Sequence, residues 1–141
     1  ILEKEKTMKL DTLKPYQEFA QRVEEIKSQL LNFVTEEKEK GKKIFIYGAS
    51  TRGNTALQYF NLNNNLIDMA ADKNPDKWGK KTVGTLIPIV SPETYREMRP
   101  DYLLVMTWHF FNEIKNQEKE FFDKGVKFIL ALPQFKVFEK E

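Results

Sequence analysis

The 141-residue sequence predicts an α/β fold in which a long amphipathic helix precedes a doubly wound parallel sheet of about five strands. Three observations lead there. Short β-prone apolar runs recur after residue 42, helical stretches separate them, and a glycine-flanked turn follows the first run.

The helix comes first. Residues 13–40 set Tyr16, Phe19, Val23, Ile26, Leu30 and Phe33 at alternating steps of three and four, with Pro15 suited to the opening turn. The stripe is heptad-like over about three repeats, which leaves two partners open, a neighbouring domain or a second copy of the chain. The charged run from Glu36 to Lys43 is expected to be solvated and to end the helix at Gly41. The chain therefore divides into a helical segment or linker, residues 1–41, and a domain at residues 42–141.

Beyond that boundary, Ile44-Phe-Ile-Tyr47 is continuously apolar, as a strand covered on both faces should be. Gly53 to Phe60 reads as helix, Leu66 to Ala71 as a second strand and Ile87 to Val90 as a short third. Ser91 and Pro92 open another helix with a serine cap and proline at its first position. Tyr102 to Met106 gives a fourth strand. Phe111 to Lys124 has helical spacing broken only by polar Glu118, and Val126 to Leu132 gives a fifth strand. Strands alternating with helices require right-handed crossovers, and the expected order is 3-2-1-4-5.

Composition sets limits. The chain is 40% hydrophobic, with 23 basic against 21 acidic residues, one His and no Cys. A net charge of +2 gives no general attraction to nucleic acid or anionic lipid, so any basic site must be small. Disulfides, a thiolate nucleophile and a cysteine zinc site are excluded by composition, and a His-rich metal site is too. No apolar run approaches the roughly 20 residues of a membrane span, and no secretory signal opens the chain, so a cytoplasmic protein without a membrane partner is expected. The first residue is Ile, which leads us to expect a piece of a longer protein.

In a sheet of this order, ligands lie outside the carboxyl ends of strands 1 and 4. Gly48-Ala-Ser-Thr-Arg-Gly53 falls there, in the spacing of the G-x-G-x-x-G fingerprint but with Ser50 at the middle glycine. Gly48 permits a tight turn and Gly53 a close helix-to-strand approach. The free N–H groups opening the next helix, with the Thr51 and Asn54 neighbours and the Arg52 guanidinium, would face an anion. A plain chain reversal capped by Ser50 or Thr51 is the alternative. Asp72 follows strand 2, 19 positions beyond Gly53, where a ribose-binding acid is expected; a turn-starting Asp before Asn74-Pro75 is equally consistent. The stretch from Asp72 to Ile87 is expected to be irregular, carrying Lys73, Lys77, Trp78, Lys80 and Lys81 either over a phosphate or into solvent. Trp108 and His109 follow strand 4 beside the crevice, where binding or helix capping fits better than catalysis, because no nucleophile or orienting acid is evident.

These residues also carry a resemblance. Tyr47 to Thr55, Asp72 to Gly79, Gly84 to Pro92, Pro100 to Val105 and Trp108 to Phe110 resemble, in order, the carboxy-terminal domain of S-adenosylmethionine-dependent sugar C-methyltransferases. The resemblance implies a Rossmann-like domain that helps hold a nucleotide-linked keto sugar, with Gly48 to Asn54 and Trp108-His109 facing it. It also implies that a preceding methyl-donor domain of the same parent chain binds most of the S-adenosylmethionine. The family's base lies in a Glu-His-containing segment between the domains, and no Glu-His pair occurs in this sequence. The chain is therefore expected to bind and position rather than transfer methyl groups. Two other readings stand beside this one: an NAD(P)-binding module of a dehydrogenase or redox sensor, from the Gly48–Gly53 spacing and Asp72, and a packing domain whose useful surface is the first helix.

Overall fold

The computed structural model describes residues 2–140. A short helix α1 (Leu2–Thr7) leads into α2 (Lys14–Glu39), and then β1 (Ile44–Tyr47), α3 (Thr51–Tyr59), β2 (Met69–Ala71), β3 (Ile89–Val90), α4 (Pro92–Met98) and β4 (Tyr102–Val105) follow. The chain finishes with α5 (Phe111–Gln117), α6 (Lys119–Asp123), β5 (Lys127–Leu130) and β6 (Lys136–Phe138). The sheet has the order β3-β2-β1-β4-β5-β6, parallel from β3 to β5 and antiparallel at β6. The expected 3-2-1-4-5 order is therefore present, with one added strand. No helix among the described residues is long and apolar enough to cross a membrane.

Alternation along the strands sends side chains to two cores. Ile44, Ile46, Ala70, Leu104 and Ile129 meet α2 and α3 on one face. Phe45, Tyr47, Met69, Leu103 and Phe128 meet Tyr95, Phe111 and Ile114 on the other. The stripe of α2 serves two ends differently: Ile26, Leu30 and Val34 are buried in the first core, whereas Tyr16 and Phe19 are 55% and 60% exposed.

The charged run after Glu36 departs from the expectation of solvated residues. Glu37 is buried and accepts hydrogen bonds from the Tyr102 hydroxyl at 2.7 Å and Lys40 Nζ at 2.6 Å. Lys38 pairs with Asp68, and Lys42 pairs with Asp101 at 3.0 Å. These contacts fix the helix end to the amino ends of β1 and β4, where Asp68 also accepts from Ile44 N and Asp101 from Lys43 N, each at 2.9 Å.

The expected single helix over 111–124 is two helices, broken at Glu118. That side chain is only 1% exposed and takes Arg96 in a two-pronged grip, Nη2 to Oε1 at 2.8 Å and Nε to Oε2 at 3.3 Å. The pair fastens α4 to the α5–α6 junction, and a buried carboxylate held by a single cation is strongly destabilising when that cation is removed. Arg96→Met should lower stability by about 3 kcal/mol in urea titration, and Arg96→Met with Glu118→Leu should recover most of the loss.

Candidate functional site

Backbone geometry at the end of β1 builds the site. Gly48 lies at φ +91°, in the left-handed region that a side chain resists, and a Cβ there would meet Thr107 Cγ2 at 3.0 Å. Its N–H donates to Ala71 O at 2.8 Å. Ser50 then caps α3: its Oγ accepts from Gly53 N at 3.0 Å, and its carbonyl accepts from Asn54 N at 2.8 Å. Gly53 is buried because the helix start presses on the residue that follows β4, where an added Cβ would lie 3.1 Å from Met106 Cβ. Among the described residues, the N–H groups of Thr51 and Arg52 have no protein acceptor, as the opening turn of a helix dictates. Asn54 Oδ1 is buried without a partner.

Asp72 does not present a free carboxylate to this crevice. Its Oδ2 accepts from Ala49 N at 2.9 Å and from Lys77 Nζ at 2.9 Å, and its Oδ1 accepts from Asn74 N at 2.9 Å. Lys77 Nζ also donates to Ala49 O at 3.0 Å, and Trp78 Nε1 donates to Asp72 O at 2.7 Å. The loop has little regular structure, as expected, and these bonds hold it as a clasp. It contains a 3-10 turn at Pro75–Lys77 and the mutually bonded, buried hydroxyls of Thr82 and Thr85.

Two cavities flank the crest between β1 and β4. One, of about 200 Å3, brings together Ser50, Arg52, Thr107, Trp108 and His109. The other, of about 330 Å3, gathers Tyr47, Gly48, Asp72, Lys73, Thr107 and Gln117. Lys73 Nζ donates to Gln117 Oε1 at 2.9 Å, and Gln117 Nε2 donates to the Tyr47 hydroxyl at 3.1 Å, so Lys73 is tethered across the crevice. Thr51 and Asn54 line neither cavity, and His109 is exposed with its ring 5.1 Å from that of Trp108. Thr107 belongs to both cavities and was missed; as the second residue after β4, it lies just beyond a carboxyl end that the crevice rule singles out. Gln117 comes from a distant helix and leaves no local signal.

A parallel sheet whose strand order reverses between β1 and β4, with a glycine-bounded helix start at that point, is the architecture of the Rossmann-like α/β class. Within that class, the chain belongs to the family described as the C-methyltransferase C-terminal domain, which matches residues 1–133. It is 34% identical over 141 residues to the C-methyltransferase NovU of Streptomyces niveus, an alignment taking in 100% of this chain and 34% of that protein. The chain thus spans one third of that relative's length. The nicotinamide-dinucleotide alternative gains no support from either comparison.

Burial alone would raise the Asp72 carboxyl, but the Asn74 amide, the Lys77 ammonium and the Ala49 amide outweigh it and hold the group below its ordinary value. A lowered folded-state pKa adds stability above the unfolded value of about 3.9 and loses it as pH falls through the folded value. Urea midpoints of the wild type and Asp72→Asn should therefore differ at about pH 7 and converge towards about pH 2.

Proposed function

We propose that this domain is the acceptor-binding part of an S-adenosylmethionine-dependent C-methyltransferase and holds a nucleotide-linked keto sugar by its diphosphate. Residues 42–141 act as the binding domain, and residues 1–41 join it to a methyl-donor domain of the same parent chain in the cytoplasm. The observation that carries the reading is the start of α3. There the Thr51 and Arg52 amides have no protein acceptor, and the Arg52 side chain has no hydrogen-bond or ion-pair partner among the described residues. The Ser50 hydroxyl accepts from Gly53 and keeps its own proton free to donate to a phosphate oxygen.

The sugar then lies by Trp108 and His109 or by Lys73, on either side of the crest. In the parent reaction a base removes the proton beside the sugar ketone. The resulting enolate carbon takes the methyl group from the sulfonium, which leaves as the neutral thioether. His109 is exposed and no carboxylate among the described residues orients it, so this domain is assigned binding and positioning, not proton abstraction. S-adenosylmethionine is assigned chiefly to the rest of the parent chain. Asp72, the acid that would meet its ribose in a dinucleotide-type site, is already spent on Ala49, Asn74 and Lys77.

Calorimetry with a thymidine-diphosphate sugar tests the reading. Wild type should bind saturably, and Arg52→Ala should bind about tenfold more weakly, the equivalent of one charge-assisted hydrogen bond. Equal affinity in the variant, or a saturable response to NADH with none to the sugar nucleotide, would remove the α3 start from the site.

A further inference from the structure

The free end of the long helix is apolar and covers nothing. α2 is seated through Ile26, Leu30 and Val34 and anchored by Glu37, so the stretch from Leu2 to Ala20 stands clear of both cores. Among the described residues eleven large apolar side chains are exposed, and Leu2, Met8, Leu13, Tyr16 and Phe19 put five of them on this one stretch, a clustering that marks a contact surface. Phe19 turns towards α3, where it walls a groove with Val23 and Ala56. Leu13, Tyr16 and Ala20 follow one another at steps of three and four and share another, exposed face.

α1 points the same way. It has six residues, none of them buried, whereas a helix of fewer than about 12 residues is marginal in water unless something packs on it. Its connection to α2 is fastened, since the Tyr16 hydroxyl donates to Leu10 O at 2.9 Å and Thr12 Oγ1 to Lys9 O at 2.8 Å. Between the two helices lies an open cleft of about 460 Å3, lined by Leu2, Glu5, Lys6, Leu10, Asp11 and Tyr16. From Leu2 to Glu18 four acidic side chains offset four basic ones. Such a balance attracts neither nucleic acid nor an anionic membrane, and an apolar stripe bordered by both signs of charge suits a lasting contact with protein.

The family is that of a carboxy-terminal domain, and the chain spans 34% of NovU, so a protein built like that relative carries a larger part joined through α1. A domain tethered so closely meets the stripe at an effective concentration of about millimolar, which favours it over a second copy. We propose that the Leu13-Tyr16-Ala20 face, together with α1, docks on the preceding methyl-donor domain of the same parent chain, so that the two domains move as one body. This assignment rests on the reading of the chain as the acceptor-binding part of a methyltransferase. The first half of α2 extends along the carboxyl-end side of the sheet, beside Arg52 and Trp108, so docking there holds the crevice at a fixed bearing to the methyl donor.

Hydrogen exchange followed by mass spectrometry compares the 141-residue chain with its parent chain. Residues 2–20 should exchange at least about tenfold more slowly in the parent, because docking suppresses local opening that is nearly free in the isolated domain. Leu13→Glu with Ala20→Glu should return them to the isolated rate in the parent. Both positions are exposed, and an unchanged melting temperature of the 141-residue chain carrying the same pair shows that the fold is kept. Equal exchange in the two chains overturns the assignment, as does protection that survives the double substitution. Protection already present in the 141-residue chain and lost on dilution overturns it in favour of a second copy. Those three results leave the functional reading standing, whereas a parent whose preceding part takes up no S-adenosylmethionine overturns that reading and this assignment with it.

Discussion

The Asp72 carboxylate ties the carboxyl ends of β1 and β2 together, and the candidate site is arranged around that tie. By accepting the Ala49 N–H it turns one amide of the loop inward, while Ser50 takes the Gly53 amide. What remains for an outside anion, among the described residues, is the set of amides between them, Ser50, Thr51 and Arg52. A carboxylate this near would oppose an arriving phosphate, but Lys77 sits 2.9 Å from it and returns the local charge to balance. The positive end of α3 and the guanidinium of Arg52 then act without a competing negative charge.

Length mismatch accounts for the other half of the architecture. Four-residue strands reach about 13 Å, whereas a helix of 26 residues reaches about 39 Å. Once Ile26, Leu30 and Val34 are seated on the sheet and Glu37 is anchored to Tyr102, the first half of α2 has no sheet left to cover. Phe19 consequently stands beside the start of α3 rather than in a core, while the Tyr16 hydroxyl turns back to donate to Leu10 O at 2.9 Å. One uniform stripe thus serves as packing surface at one end and as groove wall at the other.

These two features explain what could be read from residue order and what could not. β1 falls on Ile44–Tyr47 as expected, because a strand covered on both faces leaves an unbroken apolar run. Gly48 and Gly53 were legible because backbone geometry leaves a residue-type signature. β6 was missed because three residues, Lys136–Phe138, are too few to show alternation, and they gain their strand conformation only by pairing with β5. The break at Glu118 was visible only as a polar exception, since its meaning lies with Arg96, 22 positions earlier. Glu37, Lys38 and Lys42 likewise find partners distant in sequence, Tyr102, Asp68 and Asp101, so local pattern left the Glu36–Lys43 run as solvated charge, whereas the turn reading of Asp72 was legible because Asn74, whose amide it accepts, is two residues away.

The added strand has a consequence for how the domain behaves among its neighbours. At one margin β6 covers β5 in antiparallel fashion and ends in charged residues. At the other, β3 is only two residues long and is overlaid by the loop, with Gly79 N donating to Ile89 O at 3.0 Å and Ile89 N to Lys80 O at 2.8 Å. Neither border offers a long, bare ladder of amides and carbonyls to a foreign strand, the template from which edge-to-edge aggregation grows. The sheet can therefore be crowded against another domain, or concentrated in a cell, with little tendency to polymerise along its hydrogen-bonding direction.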